Sequence, residues 1–207
     1  MKTILLPLLL ILGFGTAQAA PQPPDVAVKE TTEKMRELIR QNHAAYVADK
    51  SKFYVTVDEV LTPRFDVRYI AQLVLAKSWR TANEAQRTRF ANAFKNSLIR
   101  TYADALLDNY DSVEAQFQPL RLAADANDAT VRAKLLRKTA PPLGISFAMR
   151  TDNSGEWKIY DVIISDVSLI SSFRGAFTAE IKKTSLDGLI QRIEQGGEFL
   201  KQAAPGA

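Results

Sequence analysis

The chain has 207 residues, no cysteine, one histidine (His43) and a formal net charge of +4. The lack of cysteine excludes disulfides, thiolate metal sites and thiol nucleophiles, and a single histidine excludes a metal site built from several imidazoles. The net charge is small, and positive and negative residues are interspersed. Its positive sign favours anionic partners such as phosphate headgroups or a membrane surface. A chain of this length has room for one domain with a substantial core.

The first residues have the features of an export signal. A lysine at position 2 precedes an apolar run over residues 4–14, and small residues follow at positions 17 and 19. The run is shorter than the roughly 20 apolar residues that cross a bilayer, so residues 1–19 are predicted to be a cleaved signal peptide. We therefore expect a periplasmic protein, and export makes nucleic acid an unsuitable partner.

The rest of the chain divides into three predicted parts. Residues 20–25 contain three prolines and are predicted to be a flexible leader. Residues 26–200 are predicted to form one domain. Residues 201–207 are small or polar and are predicted to be a flexible tail.

Helical patterns occupy the first half of the predicted domain. Apolar residues recur at steps of three and four over residues 26–48, and a second amphipathic pattern follows over residues 65–79. Asn83 and Gln86 then have the spacing of a capping box, and a large apolar residue recurs every fourth position over residues 90–106. The third pattern predicts one long helix.

The pattern changes after residue 110 to an alternation of apolar and polar residues, which is typical of strands. Predicted strands cover about residues 113–117, 131–135, 145–149 and 157–167. Two helical patterns end the domain, over residues 169–183 and 185–195. Segregated helices and strands predict an α+β fold in which a curved antiparallel sheet of about four strands packs against helices.

One carboxylate is a candidate for catalysis. Asp161 lies within an apolar predicted strand, where burial would raise the pKa of a carboxyl group and suit it to act as a general base. A structural role at a strand irregularity or in an ion pair explains the same residue. No metal-ligand spacing, Gly-rich phosphate loop or nucleophile elbow occurs in the sequence.

Large apolar side chains are abundant on the long helix and on the predicted sheet. An ordinary filled core explains them, and so does a cavity for a hydrophobic ligand such as a lipid. Periodicity does not distinguish a filled interior from a hollow one.

Four segments occur in a characteristic order along the chain. They are RFDVRY (64–69) leading to LVLAKSW (73–79), TANEAQR (81–87) opening the long helix, WKIYD (157–161) leading to DVSLI (166–170) and FRGAF (173–177), and LDGLI (186–190). With the signal peptide and the absence of cysteine, this order resembles the periplasmic phospholipid-binding proteins of the Mla lipid-asymmetry pathway (MlaC-like), also called the toluene-tolerance auxiliary family. The resemblance covers nearly all of the mature chain.

The resemblance implies a fold and a site. The fold would be a nuclear-transport-factor-like cone, with an apolar cavity between sheet and helices that holds acyl tails while the headgroup stays in solvent. Ten residues are nominated to line this cavity, as a hypothesis: Tyr69, Leu73, Leu98, Tyr102, Ile145, Phe147, Ile163, Val167, Phe173 and Phe177. Asp161 would then be structural.

The resemblance also implies a function. The protein would be a carrier, not an enzyme, that shuttles phospholipid between outer- and inner-membrane complexes and so maintains outer-membrane lipid asymmetry. Its partners would be an inner-membrane ATP-driven transporter with a lipid-binding ring and an outer-membrane lipoprotein bound to a porin. It would act as a monomer and need no cofactor or metal, with phospholipid as its cargo.

Two alternatives remain open from the sequence. One is a cavity enzyme on the same fold with Asp161 as general base, which would lose turnover on substitution of that residue. The other is a periplasmic adaptor with a solid core that binds only proteins, which predicts that no lipid co-purifies.

Overall fold

The structure, a computed structural model, describes residues 22–196 and 198–203. The predicted signal peptide lies outside these residues. The helices are α1 (Pro24–Ala48), α2 (Lys50–Leu61), α3 (Val67–Leu75), α4 (Lys77–Thr81), α5 (Glu84–Asn109), α6 (Leu169–Lys183), α7 (Leu186–Glu194) and α8 (Glu198–Ala203). The strands are β1 (Val113–Phe117), β2 (Asp128–Arg137), β3 (Ala140–Thr151), β4 (Trp157–Ile164) and β5 (Val167–Ser168).

Both ends of the described domain are more helical than the sequence predicts. Helix α1 begins at Pro24, inside the predicted leader 20–25, because the fixed φ of proline suits the first turn of a helix. At the other end, α8 makes residues 201–203 of the predicted tail helical. Its Leu200 is buried among side chains of α3 to α7, and this burial holds the last helix on the domain.

The long helix α5 forms as predicted and begins with a complete capping box. The Asn83 side chain accepts from the Gln86 backbone N–H at 2.8 Å, and the Gln86 side chain accepts from the Asn83 backbone N–H at 3.1 Å. Two N–H groups that the first turn leaves without helical partners are thereby satisfied.

Helices α3 and α4 are separated by one strained residue. Ala76 has φ 48° and ψ −108°, a conformation that glycine adopts readily and that a Cβ atom disfavours. The amphipathic pattern over residues 65–79 therefore corresponds to two helices, α3 and α4, that meet at Ala76.

Replacing Ala76 by glycine is expected to stabilise the protein. Relief of the strain, about 1–2 kcal/mol, exceeds the extra backbone entropy that glycine loses on folding, about 0.5–1 kcal/mol. The net gain of about 1 kcal/mol corresponds to a rise in Tm of roughly 2–4 °C for a domain of this size. The matched control, Ala105→Gly at an exposed position inside α5, is expected to lower Tm by a similar amount. A lower Tm for Ala76→Gly would contradict this account.

The sheet has five antiparallel strands in the order β1-β2-β3-β4-β5, which corrects the predicted count of about four. The predicted strand over residues 157–167 is in fact a hairpin. Ser165 and Asp166 have φ values of 47° and 65° and join Ile164 to its partner Val167 in a two-residue turn. Positive φ at both central residues is the geometry of a type I′ turn.

A β-bulge in β4 changes which side chains share a face of the sheet. Met149 pairs with Ile159 and Ala148 pairs with Asp161, so Tyr160 is the extra residue. Ile159 lies on the face of Met149, whereas Ile163, paired with Ser146, lies on the opposite face. Strict alternation would have placed both isoleucines on one face.

The buried core formed by residues 22–196 and 198–203 contains three separate clusters. The aromatic cluster is built from residues of all six helices from α3 to α8. At its centre are four phenylalanine rings with at most 3% exposure: Phe90, Phe94, Phe173 and Phe177. The helical cluster joins α1, α2 and the C-terminal half of α5: Met35, Ile39, Tyr46, Phe53, Val57, Ala103 and Leu107. The sheet cluster packs α1 on the sheet: Val28, Val131, Met149, Trp157 and Ile159. Most domains of this size have one contiguous core, so the division is itself a feature of this fold.

Candidate functional site

The ten nominated residues fall into four environments. Phe173 and Phe177 are 1% and 0% exposed and lie inside the aromatic cluster. Their rings lie 5.1 Å and 5.3 Å from the ring of Phe94, centroid to centroid, at steep angles typical of packed aromatic pairs. These two side chains are therefore part of a filled core.

Leu98 and Tyr102 lie on α5 between two clusters. Phe94 belongs to the aromatic cluster and Ala103 to the helical cluster. They are nine positions apart, which is about 2.5 turns, so they are on opposite sides of the helix. Tyr102 lies about a quarter-turn from each of these sides, and Leu98 precedes it by one turn. Both side chains are half-buried. Leu98 packs against the aromatic cluster, whereas Tyr102 belongs to neither cluster and marks a third side of α5 between them.

Ile145, Phe147 and Val167 share one face of the sheet. Residues opposite each other in antiparallel strands point to the same face. The register gives two adjacent rows on this face, Val131–Phe147–Val162 and Ala133–Ile145–Ile164–Val167. Along the second row, exposure rises from 3% at Ala133 to 45% at Val167, so the row leads from the sheet interior to its outer edge. Val162 and Ile164 belong to this surface and were missed from the sequence, because only the register after the bulge reveals them.

Tyr69 and Leu73 lie elsewhere, in a cleft of about 520 Å³ where α3 and α6 meet the sheet. The Arg150 guanidinium lies 4.1 Å from the centre of the Tyr69 ring, and the Tyr160 ring meets Tyr69 edge-on at 5.8 Å. Arg174 also lines the cleft and donates to the Leu73 carbonyl at 2.9 Å. Burial, and then the charge of Asp128, raises the pKa of Tyr160. Ile163 is on the same face of the sheet as this cleft, which is polar in its lining.

Asp161 has a defined structural task at the edge of the cleft. One carboxylate oxygen accepts from the Ser168 hydroxyl at 2.5 Å and the other accepts from the Ile170 backbone N–H at 3.1 Å. Ser168 in turn caps α6 by accepting from the Ser171 N–H at 3.1 Å. Asp161 thus connects β4 to the first turn of α6, where a negative charge is favourable.

Neither a metal centre nor a membrane span is found in the described part of the chain. Among residues 22–196 and 198–203, no three His, Asp or Glu side chains are grouped so that they could hold a metal ion. No helix in the same residues is long and apolar enough to cross a membrane.

A family model described as MlaC protein matches residues 29–195, which is most of the chain. The chain belongs to the MlaC protein family. This confirms the family resemblance read from the four sequence segments.

Two curated relatives show the same relationship. The intermembrane phospholipid transport system binding protein MlaC of Haemophilus influenzae is 25% identical over 195 residues, covering 93% of this chain and 89% of that protein. The toluene tolerance protein ttg2D of Pseudomonas putida is 26% identical over 181 residues, covering 87% of this chain and 83% of that protein. The similarity therefore extends over most of the length of this chain and of each relative.

A solved structure shares the MlaC-family fold. It is the phospholipid-binding protein of Ralstonia solanacearum in complex with a phospholipid, which is 27% identical to this chain. The two superpose with a TM-score of 0.76 over 88% of this chain and 99% of that one. The predicted α+β architecture is confirmed at the level of the whole domain.

Proposed function

We propose that this protein is a periplasmic carrier that binds phospholipid acyl chains and moves phospholipid between the outer and inner membranes. The observation that carries the proposal is the full-length similarity to a structure that contains a phospholipid. The Haemophilus relative is named for intermembrane phospholipid transport, which supports the same role.

The divided core suits this role. Tyr102 lies on the third side of α5, in neither the aromatic nor the helical cluster, and Leu98 lies at the border of the aromatic cluster. The sheet presents the rows that contain Phe147 and Ile145. We propose that acyl tails lie between these two surfaces and that Val167, at the exposed end of its row, marks the entrance. Tyr69, Leu73 and Ile163, at the polar cleft, and Phe173 and Phe177, in the aromatic cluster, are less suited to contact tails directly.

The energetics explain why a carrier is needed. Burial of each methylene is worth about 0.8 kcal/mol, so moving one acyl chain of about twelve methylenes into water costs roughly 10 kcal/mol. An apolar interior removes most of this penalty and needs no chemical step. The same physics requires that headgroup contacts stay weak, because a strongly bound headgroup would oppose release.

Native mass spectrometry of the protein purified from the periplasm without detergent tests this proposal. One bound phospholipid per chain is expected. The polypeptide mass is expected to be that of a mature chain beginning at Ala20. Lipid extraction then identifies the cargo. A lipid-free mass that persists after incubation with phospholipid vesicles would reject the carrier and favour the protein-only adaptor.

We further propose that Asp161 is structural and that the protein has no catalytic activity or cofactor. Asp161→Asn is expected to leave lipid occupancy unchanged and to lower the free energy of unfolding by about 1 kcal/mol, because the helix end loses a charged partner. Lipid occupancy from native mass spectra and Tm from thermal unfolding measure the two effects. Conversion of the bound lipid by the wild type, lost in the variant, would support the enzyme instead.

The proposed partners follow from the role. An inner-membrane ATP-driven transporter with a lipid-binding ring would accept or donate the lipid on one side, and an outer-membrane lipoprotein bound to a porin on the other. The protein is proposed to act between them as a monomer.

A further inference from the structure

The Tyr102 hydroxyl is a polar group without a hydrogen-bond partner among the described residues. It is buried, and no atom of the described residues forms a hydrogen bond with it. Burial raises the pKa of this hydroxyl, which keeps it protonated and able to donate. A buried hydroxyl without a partner is destabilising, and native proteins rarely retain one unless something else pairs with it.

Two tyrosine hydroxyls on the neighbouring helices α1 and α2 are paired. Tyr54 donates to Asp104 at 3.1 Å, and the Tyr46 hydroxyl is 3.1 Å from the hydroxyl of Thr56. Tyr102 therefore differs from its neighbours in hydrogen bonding and not in residue type. Tyr102 belongs to neither cluster, and Leu106, one turn later, is 38% exposed. Solvent-exposed surface of α5 therefore begins within one turn of Tyr102.

The parts of a phospholipid differ in what they offer to a lone donor. Acyl tails carry no acceptor, and the phosphate is charged and is favoured in water. The ester carbonyls join the two regions and are the acceptors that enter an apolar site together with the first methylenes. A single neutral donor at the boundary of an apolar site matches an ester carbonyl.

We propose that Tyr102 donates a hydrogen bond to an ester carbonyl of the bound phospholipid and so sets the depth to which the acyl chains enter. The inference rests on the proposed carrier function and adds a specificity: a diester phospholipid is bound in preference to a diether lipid with the same headgroup and chain length. The two lipids differ at the carbonyl that Tyr102 would recognise.

Competition between diester and diether phosphatidylglycerol, followed by native mass spectrometry, tests the inference. The wild type is expected to favour the diester by about three- to ten-fold, the range of a typical hydrogen bond. Tyr102→Phe is expected to bind both lipids equally. The lipid-free form of this variant is expected to unfold at the same temperature as the wild type or higher, because it no longer buries an unpaired hydroxyl.

Tyr54→Phe is the matched control. It removes a tyrosine hydroxyl that is already paired, so its Tm is expected to fall while its diester preference stays that of the wild type. Equal binding of both lipids by the wild type, or an unchanged preference in Tyr102→Phe, would overturn the inference while leaving the carrier intact. Absence of any lipid from the wild type would instead reject the carrier function on which the inference rests.

Discussion

Introducing a charge on the proposed tail-binding surfaces is expected to reduce phospholipid occupancy at least ten-fold. Leu98→Arg acts from α5, and Phe147→Arg and Val167→Arg act from the sheet face that carries the two apolar rows. A guanidinium placed among acyl tails loses its hydration and finds no counter-charge there. Native mass spectra of protein purified without detergent give the occupancy directly.

The three variants differ in their risk to folding. Leu98 and Phe147 pack against buried clusters, whereas Val167 is 45% exposed, so Val167→Arg should leave Tm nearly unchanged. Val55→Arg, at an α2 position that is 56% exposed, introduces the same charge away from these surfaces and should keep the wild-type lipid load. A folded Val167→Arg and a folded Leu98→Arg that both retain lipid would show that the tails lie elsewhere.

Truncating the centre of the aromatic cluster is expected to have the largest effect on stability. The Phe177 ring is fully buried and lies within 6 Å of the rings of Phe90, Phe94, Phe173 and Phe199, centroid to centroid. Phe177→Ala removes these contacts and leaves a cavity, at a cost of about 3–5 kcal/mol. That loss is a large fraction of the roughly 5–15 kcal/mol that stabilises a typical domain.

Chemical denaturation of Phe177→Ala measures this loss of unfolding free energy. The control is Val47→Ala, at a 54% exposed position of α1, whose unfolding free energy is expected to stay within about 0.5 kcal/mol of the wild type. A change below about 1 kcal/mol for Phe177→Ala would mean that the ring borders a hollow space. It would then return Phe177 to the list of tail-contacting residues.

Local features account for what the sequence predicted correctly. The capping box of Asn83 and Gln86 and the four-residue repeat of α5 depend on neighbours within one or two turns. The alternation in β1 to β3 likewise follows from side chains two residues apart. The four family segments extend this local information to the whole domain, which is why the family, the α+β fold and the carrier function were all accessible.

The turn before the fifth strand lacks the glycine that usually marks such a turn in a sequence. A type I′ turn favours Asn-Gly or a similar pair, but Ser165 and Asp166 form this one without glycine. The β-rich run over residues 157–167 was therefore predicted as one strand. Pairing of Val167 with Ile164, which requires the folded sheet, makes the turn favourable.

The candidate site depended on long-range packing. Tyr69 and Tyr160 are 91 positions apart in the chain, and their ring contact helps to form a polar cleft that no periodicity indicates. The bulge at Tyr160 moved Ile163 away from the face of Phe147, and no residue in the strand signals it. Nominated residues were therefore divided among surfaces that the sequence had grouped together.

By itself, the amino-acid sequence determined the helices and most strands, the absence of cysteine chemistry and the family, because each of these follows from residue types at short spacings. Only the tertiary structure decided which apolar residues are filled core and which remain between clusters. The reason is geometric. The two halves of α5 bury opposite faces, one carrying Phe94 and the other Ala103, and the helices that pack against each half decide which face is buried. A partnerless hydroxyl such as that of Tyr102 becomes visible only after that packing is known.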